Sequence, residues 1–129
     1  MAEEEQVQAP AAPEARAGSH NWFQWYHVME GDTLSEIALW WFGDASEPAW
    51  RRIWLPNRRT VRDPNQLRPS MWLKLPYQEF RYHIEQGDTL SQLAEWLYYD
   101  PNAWPHIWNR NPWIPNPNVI QRSWWIWVP

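Results

Sequence analysis

Ten residues beginning at Tyr26 return 56 positions further along, and this repetition limits the folds open to the chain more than any other feature. Tyr26-His27-Val28-Met29-Glu30-Gly31-Asp32-Thr33-Leu34-Ser35 is answered by Tyr82-His83-Ile84-Glu85-Gln86-Gly87-Asp88-Thr89-Leu90-Ser91. Trp50-Arg51-Arg52-Ile53-Trp54 with Asn57 matches Trp104-Pro105-His106-Ile107-Trp108 with Asn111 at a spacing of 54. Asp63-Pro64-Asn65-Gln66-Leu67 then matches Asn116-Pro117-Asn118-Val119-Ile120, and Leu73-Lys74-Leu75-Pro76 matches Ile126-Trp127-Val128-Pro129, both at 53. Self-similarity at this period means two copies of one small supersecondary unit. The chain has 129 residues, so each unit is near the ~60-residue size at which only ~60% of the unfolded surface is buried. No Cys is present to form a disulfide, so packing alone must hold the units. A barrel-sized catalytic fold is excluded.

Each copy reads strand, helix, helix, strand. Tyr26–Val28 and Tyr82–Ile84 alternate as short strands, and Gly31-Asp32 or Gly87-Asp88 turns the chain. Thr33 with Glu36, and Thr89 with Gln92, form the capping-box pattern of a helix start. Behind the cap, Leu34, Ile37, Ala38 and Trp41 fall at i, i+3, i+4 and i+7, as do Leu90, Leu93, Ala94 and Leu97. Each set makes one buried stripe. Asp100-Pro101 predicts a second helix start, with Trp104, Ile107, Trp108 and Asn111 on its inner face. Pro48 and then Trp50, Ile53, Trp54 and Asn57 do the same in the first copy.

The expected organisation is an acidic Ala/Pro/Glu-rich arm over 1–21, a first unit over 22–77 and a second over 78–129. The arm has no hydrophobic period and reads as disordered. Outside the first 20 residues the chain carries 10 bases against 11 acids, which argues against a nucleic-acid binder. No apolar run approaches the ~18 residues of a membrane span. A basic region followed by an apolar stretch is absent from the N-terminus, so synthesis in the cytosol without a standard signal peptide is expected.

The order Tyr-x-Val, Gly-Asp-Thr-Leu-Ser, two helices ending at an Asn, and a final Leu-x-Leu-Pro strand resembles the LysM domain. The first copy resembles its longer bacterial and phage-type variety, with Trp41-Phe42-Gly43-Asp44 in place of the usual aromatic-Tyr-Gly-Asp. The resemblance implies an α+β fold of two tandem β-α-α-β units, each with two helices packed on a two-stranded antiparallel sheet. It further implies a non-catalytic role, binding glycans that contain N-acetylglucosamine, such as peptidoglycan or chitin, with no cofactor. By position, the sugar-binding loops would be Gly31, Asp32, Thr33 and Leu34 facing Asn65, Gln66, Leu67 and Arg68. Their counterparts are Gly87, Asp88, Thr89 and Leu90 facing Asn118, Val119, Ile120 and Gln121. Backbone groups from two such segments can clamp the C=O and N–H of an N-acetyl group, with Leu34 and Leu67 as an apolar floor for its methyl. The chain departs from the family pattern where the usual Pro-Gly-Gln reads Pro69-Ser70-Met71 and Arg122-Ser123-Trp124. If those positions take a positive φ, Ser costs roughly 1 kcal/mol there.

Asp32 and Asp88 are expected to serve their turns and the following helix starts. They fall in separate units, whereas glycosidase carboxylates bracket one bond at ~5 to 9.5 Å, so no catalytic residue is assigned. The four His show no metal-ligand spacing, and no metal site is expected. Arg51, Arg52, Arg58, Arg59, Arg62 and Arg68 read as the solvated face of the second helix and its loop, or as a surface for an acidic partner or an anionic cell-wall polymer.

The 14 Trp exceed what a small core can use. On the last strands Leu73, Leu75, Ile126 and Val128 should face the helices, leaving Trp72, Trp125 and Trp127, with Trp25, on the uncovered sheet faces. Trp40 and Trp96 sit off the helix stripes. These six form a candidate protein interface, unless the two units bury them against each other or sugar rings stack on them. The leading expectation is glycan recognition at the cell wall. The alternative is a structural assembly protein, a LysM-like baseplate or tube-associated component of a contractile phage tail or related injection machine, binding protein partners through its Trp surface.

Overall fold

The computed structural model describes residues 22–129, and the arm read at 1–21 lies outside them. Over the described residues the fold is mixed α+β, with four α-helices and two small antiparallel sheets of two strands each. The first sheet pairs β1 (Phe23–His27) with β2 (Trp72–Pro76), and between them run α1 (Leu34–Phe42), α2 (Glu47–Trp54) and a 3-10 turn (Leu55–Asn57). The second pairs β3 (Phe80–His83) with β4 (Trp125–Val128) around α3 (Leu90–Tyr98), a 3-10 turn (Pro101–Ala103) and α4 (Trp104–Arg110).

Sequence period dictates which faces are buried. Leu34, Ile37 and Ala38 on α1, and Leu90, Leu93, Ala94 and Leu97 on α3, all lie in the core. Leu73, Leu75, Ile126 and Val128 meet them from the sheets with no exposed surface. Trp41, on the same stripe, is only half-buried; its indole N–H donates to the Pro76 carbonyl at 2.6 Å. Thr33 and Thr89 cap their helices through their hydroxyls, at 3.2 Å from the Glu36 amide and 3.0 Å from the Gln92 amide. The reciprocal bonds from Glu36 and Gln92 expected of a full capping box are absent among the described residues. Asp100 does cap, but Pro101 opens a 3-10 turn and α4 begins only at Trp104.

Two buried Asn side chains fasten the second helix of each half to its last strand. Asn57 donates to the Ile53 and Lys74 carbonyls at 2.7 and 2.8 Å and accepts from the Lys74 amide at 2.8 Å. Asn111 repeats the pattern with Ile107 and Trp127, at 2.9, 2.7 and 2.7 Å. An amide is suited to this position because it offers both donors and an acceptor to an otherwise unpaired strand segment.

The halves are joined through α2 and the turn after it, which meet β3 and α3. Trp54 and Trp96 pack edge to face at 5.1 Å, Phe23 meets Phe80 at 5.9 Å, and Trp22 meets Trp127 at 5.3 Å.

Candidate functional site

In the first half, the two loops singled out in the sequence converge. Gly31 takes φ 91°, a left-handed conformation that suits glycine, and releases the chain into the Thr33 cap. The Asp32 carboxylate accepts from the Tyr26 hydroxyl at 2.7 Å and from the Met29 amide at 2.8 Å, which fixes the turn. Burial first, and then the bond to Asp32 and its charge, push the Tyr26 phenol up to about 12. On the opposite side, Val28 donates to Met71 at 2.9 Å and Ser70 donates back to Val28 at 2.8 Å, so the second loop starts beside the first. Asp32, Thr33, Leu34 and Ser35 then face Pro64, Asn65 and Leu67 across a groove of about 140 Å³, with Trp50 also in its wall. Gln66 and Arg68, on the same loop, are exposed.

The second half repeats the scaffold with a different outcome at its acid. Ile84 donates to Trp124 and Ser123 donates to Ile84, both at 2.9 Å. Asp88 accepts from the Tyr82 hydroxyl at 2.6 Å and from the Glu85 amide at 2.9 Å, matching Asp32. In addition, the Arg58 guanidinium reaches across from the first half to Asp88 and to the Tyr82 oxygen, each at 2.7 Å. The Asp88 side chain is 2% exposed. Burial and the Asp88 contact raise the Tyr82 phenol far above its ordinary value. Thr89, Asn118, Val119 and Gln121 are exposed, Ile120 is half-buried and Leu90 is buried.

Arg58, Arg59 and Arg62 of the Arg cluster reach across to the second half, although Arg59, Arg62 and Arg68 remain exposed, as a solvated face requires. Arg62 and Arg59 both reach Glu85, at 3.1 and 3.5 Å, and Arg59 also lies 2.6 Å from the His83 ring nitrogen. Arg51 and Arg58 lie over the Trp54 and Trp96 rings. Within one chain the acidic partner turns out to be the second copy's strand end and turn. Sequence reasoning missed this; the available signal was six Arg in one copy with Glu85 and Asp88 in the other.

The six Trp of the candidate interface separate. Trp96 is half-buried against Trp54, and Trp127 sits under the Arg81 and Arg110 guanidinium groups at 5.2 and 4.9 Å. Trp40 remains 65% exposed beside Tyr26 and Trp41. Trp72 stacks on His27 at 4.6 Å and Trp125 on His83 at 4.5 Å, one stack per sheet. Trp25, Trp72 and Trp125 border one cleft of about 490 Å³ between the sheets. Among the described residues no group of three or more His, Asp or Glu is placed to hold a metal, and no helix is long and apolar enough to cross a membrane.

The chain matches no family model. It is 38% identical over 99 residues to proteins named as esterases from two strains of Mycobacterium tuberculosis, covering 76% of this chain and 20% of each of theirs. The chain therefore spans about a fifth of the length of the curated relatives it matches. Among solved structures, the spore cortex-lytic enzyme SleL of Bacillus megaterium is similar at 26% identity and TM-score 0.32, over 85% of this chain and 23% of that one.

Proposed function

We propose that this chain is a non-catalytic, tandem LysM-like protein that binds glycan containing N-acetylglucosamine, peptidoglycan above all, through the groove of its first half. The supporting observation is that groove, where Thr33 and Leu34 face Asn65 and Leu67 over a space of about 140 Å³. Its walls are short loops with polar backbone and a leucine from each side, the chemistry an N-acetyl group calls for. The stretch matched in the esterase relatives is a fifth of their length, the size of one small domain within a longer chain. Asp32 and Asp88 are both engaged in their own turns, which leaves no carboxylate pair set across the groove.

Pull-down on purified peptidoglycan and Trp fluorescence titration with N-acetylglucosamine oligomers test the proposal. Binding in the millimolar range or tighter is expected, and Leu67→Asp should weaken it at least tenfold. Absence of binding at millimolar sugar would sink the reading. The assembly alternative keeps one specific observation, the exposed Leu39 and Trp40 on α1, and sizing by light scattering addresses it. A stable monomer across the micromolar range speaks against it.

A further inference from the structure

The two sheets each leave one face without helices, and these faces turn toward a shared cleft of about 490 Å³. That volume lies within the range of small-molecule sites. Strand pairing sets Trp25 opposite Lys74 in the first sheet and Arg81 opposite Trp127 in the second, so each open face carries a Trp and a cation with their strands exchanged. Beside each pair stands a His–Trp stack, His27 on Trp72 and His83 on Trp125. Lys74, Arg81, Arg58 and Arg59 all border the cleft, and among the described residues Glu85 is the only acid that does. Arg58 and Arg59 are committed to Asp88 and Glu85, whereas no carboxylate among the described residues pairs with Arg81.

A second observation points the same way. Among the described residues the buried side-chain polar atoms without a hydrogen-bond partner are His27 Nε2, Trp72 Nε1 and Arg81 Nε. All three residues belong to the open sheet faces, and Trp72 and Arg81 border the cleft. An unpaired buried donor costs ~1 to 3 kcal/mol, more when charged, so the Trp72 and Arg81 N–H groups call for an acceptor-rich occupant. Indole N–H and guanidinium N–H can only donate, and the Arg81 guanidinium, which no carboxylate among the described residues meets, asks for negative charge.

We propose that this cleft binds a carboxylate-bearing segment of an acetylated amino-sugar chain, at a site separate from the loop groove. Sugar rings lie against Trp25 and Trp125, and the carboxylate meets the Arg81 guanidinium and the Trp72 indole N–H. The proposal rests on the glycan reading above and adds to it a preference for the anionic sugar.

The test compares two probes of equal ring number by calorimetry: a tetrasaccharide alternating N-acetylglucosamine with N-acetylmuramic acid, and tetra-N-acetylglucosamine, which has no carboxylate. The intact chain is expected to bind the anionic probe tenfold or more tightly than the neutral one, with a preference that shrinks as salt rises. Arg81→Gln should abolish that preference by bringing the anionic affinity down to that of the neutral probe, a change about the size of one charge-assisted hydrogen bond. Arg81→Lys should keep part of it, and near-UV circular dichroism should show both variants folded. The Trp72 indole N–H resonance should move with the anionic probe only. Equal affinities for the two probes, or an Arg81→Gln preference like that of the parent, would overturn this proposal while leaving the groove reading intact; failure of both probes to bind would overturn both. If changing Glu3, Glu4 and Glu5 to Gln moves the Trp72 resonance with no sugar present, the cleft belongs to the chain's own acidic segment and the proposal falls.

Discussion

Truncating Asn111 to Ala should be among the most damaging single changes in the second half. The side chain is fully buried and makes three hydrogen bonds, two to Trp127 backbone atoms at 2.7 Å and one to the Ile107 carbonyl at 2.9 Å. Ala removes all three and leaves the Trp127 N–H and C=O facing a hole too confined for both to regain good partners. Each unsatisfied buried group costs about 1 to 3 kcal/mol, and the lost contacts of a small cavity add to this, giving roughly 3 to 5 kcal/mol. Against total stabilities of about 5 to 15 kcal/mol, the variant keeps only a small margin. In urea, with a slope of about 2 kcal/mol per molar for a chain of this size, the midpoint should drop by roughly 2 M. Asn57→Ala removes the equivalent bonds from the first half and should cost a similar amount. A loss below about 1 kcal/mol for either variant, with unchanged slope, would refute the idea that these amides hold the last strands in place.

Three further outcomes are expected. Ser70, Ser123 and Tyr99 hold φ of 71, 79 and 62°, where the αL conformation costs an L-residue about 1 to 2 kcal/mol; replacing each with Gly should raise thermal stability by about 0.5 to 1 kcal/mol after the greater unfolded freedom of Gly is counted. Arg58→Met should destabilise by about 2 kcal/mol, because it leaves Asp88 buried with only Tyr82 and the Glu85 amide, and hydrogen exchange should show residues 84–89 losing protection before the rest. The Tyr82 and Tyr26 phenols are raised in the folded state, so the stability they confer is present below their ordinary value of 10.0 and is lost as pH climbs toward 12; Tyr82→Phe should flatten that decline in urea midpoints measured from pH 9 to 12.

The sequence made the helix stripes and last strands legible because those residues obey a period. Leu34, Ile37 and Ala38, or Leu73 and Leu75, need only a covered face, and burial follows from spacing alone. The Ser substitutions were legible too, since a position that needs positive φ keeps that demand whichever residue occupies it. Tyr99 could be read the same way, since it stands 56 positions after Gly43 and so takes the glycine's place at the helix end. The joint between the halves left the weakest trace. Arg58 and Asp88 are thirty positions apart, and charge content alone does not say whether an arginine meets solvent, another molecule or a second copy in the same chain. The groove residues were placed by resemblance, and it is their tertiary setting that distinguishes Asp32 from Asp88.

That distinction decides what duplication has done here. Both acids receive the same two turn bonds, from a tyrosine hydroxyl and from the amide three residues earlier, so the turn itself needs no cation. Arg58 at Asp88 is therefore additional, and it is supplied by the segment after α2 in the first half, directly behind Asn57, where the second half reads Pro112 behind Asn111 and has no cation to offer. In the second half the carboxylate of the turn is met by a guanidinium, while the first groove keeps Asp32 without a basic partner among the described residues. The two copies thus differ in the charge that surrounds their equivalent acids. Arg58 and Arg59, which fasten the second turn, also border the cleft between the sheets, so the joint between the halves and the cleft share residues.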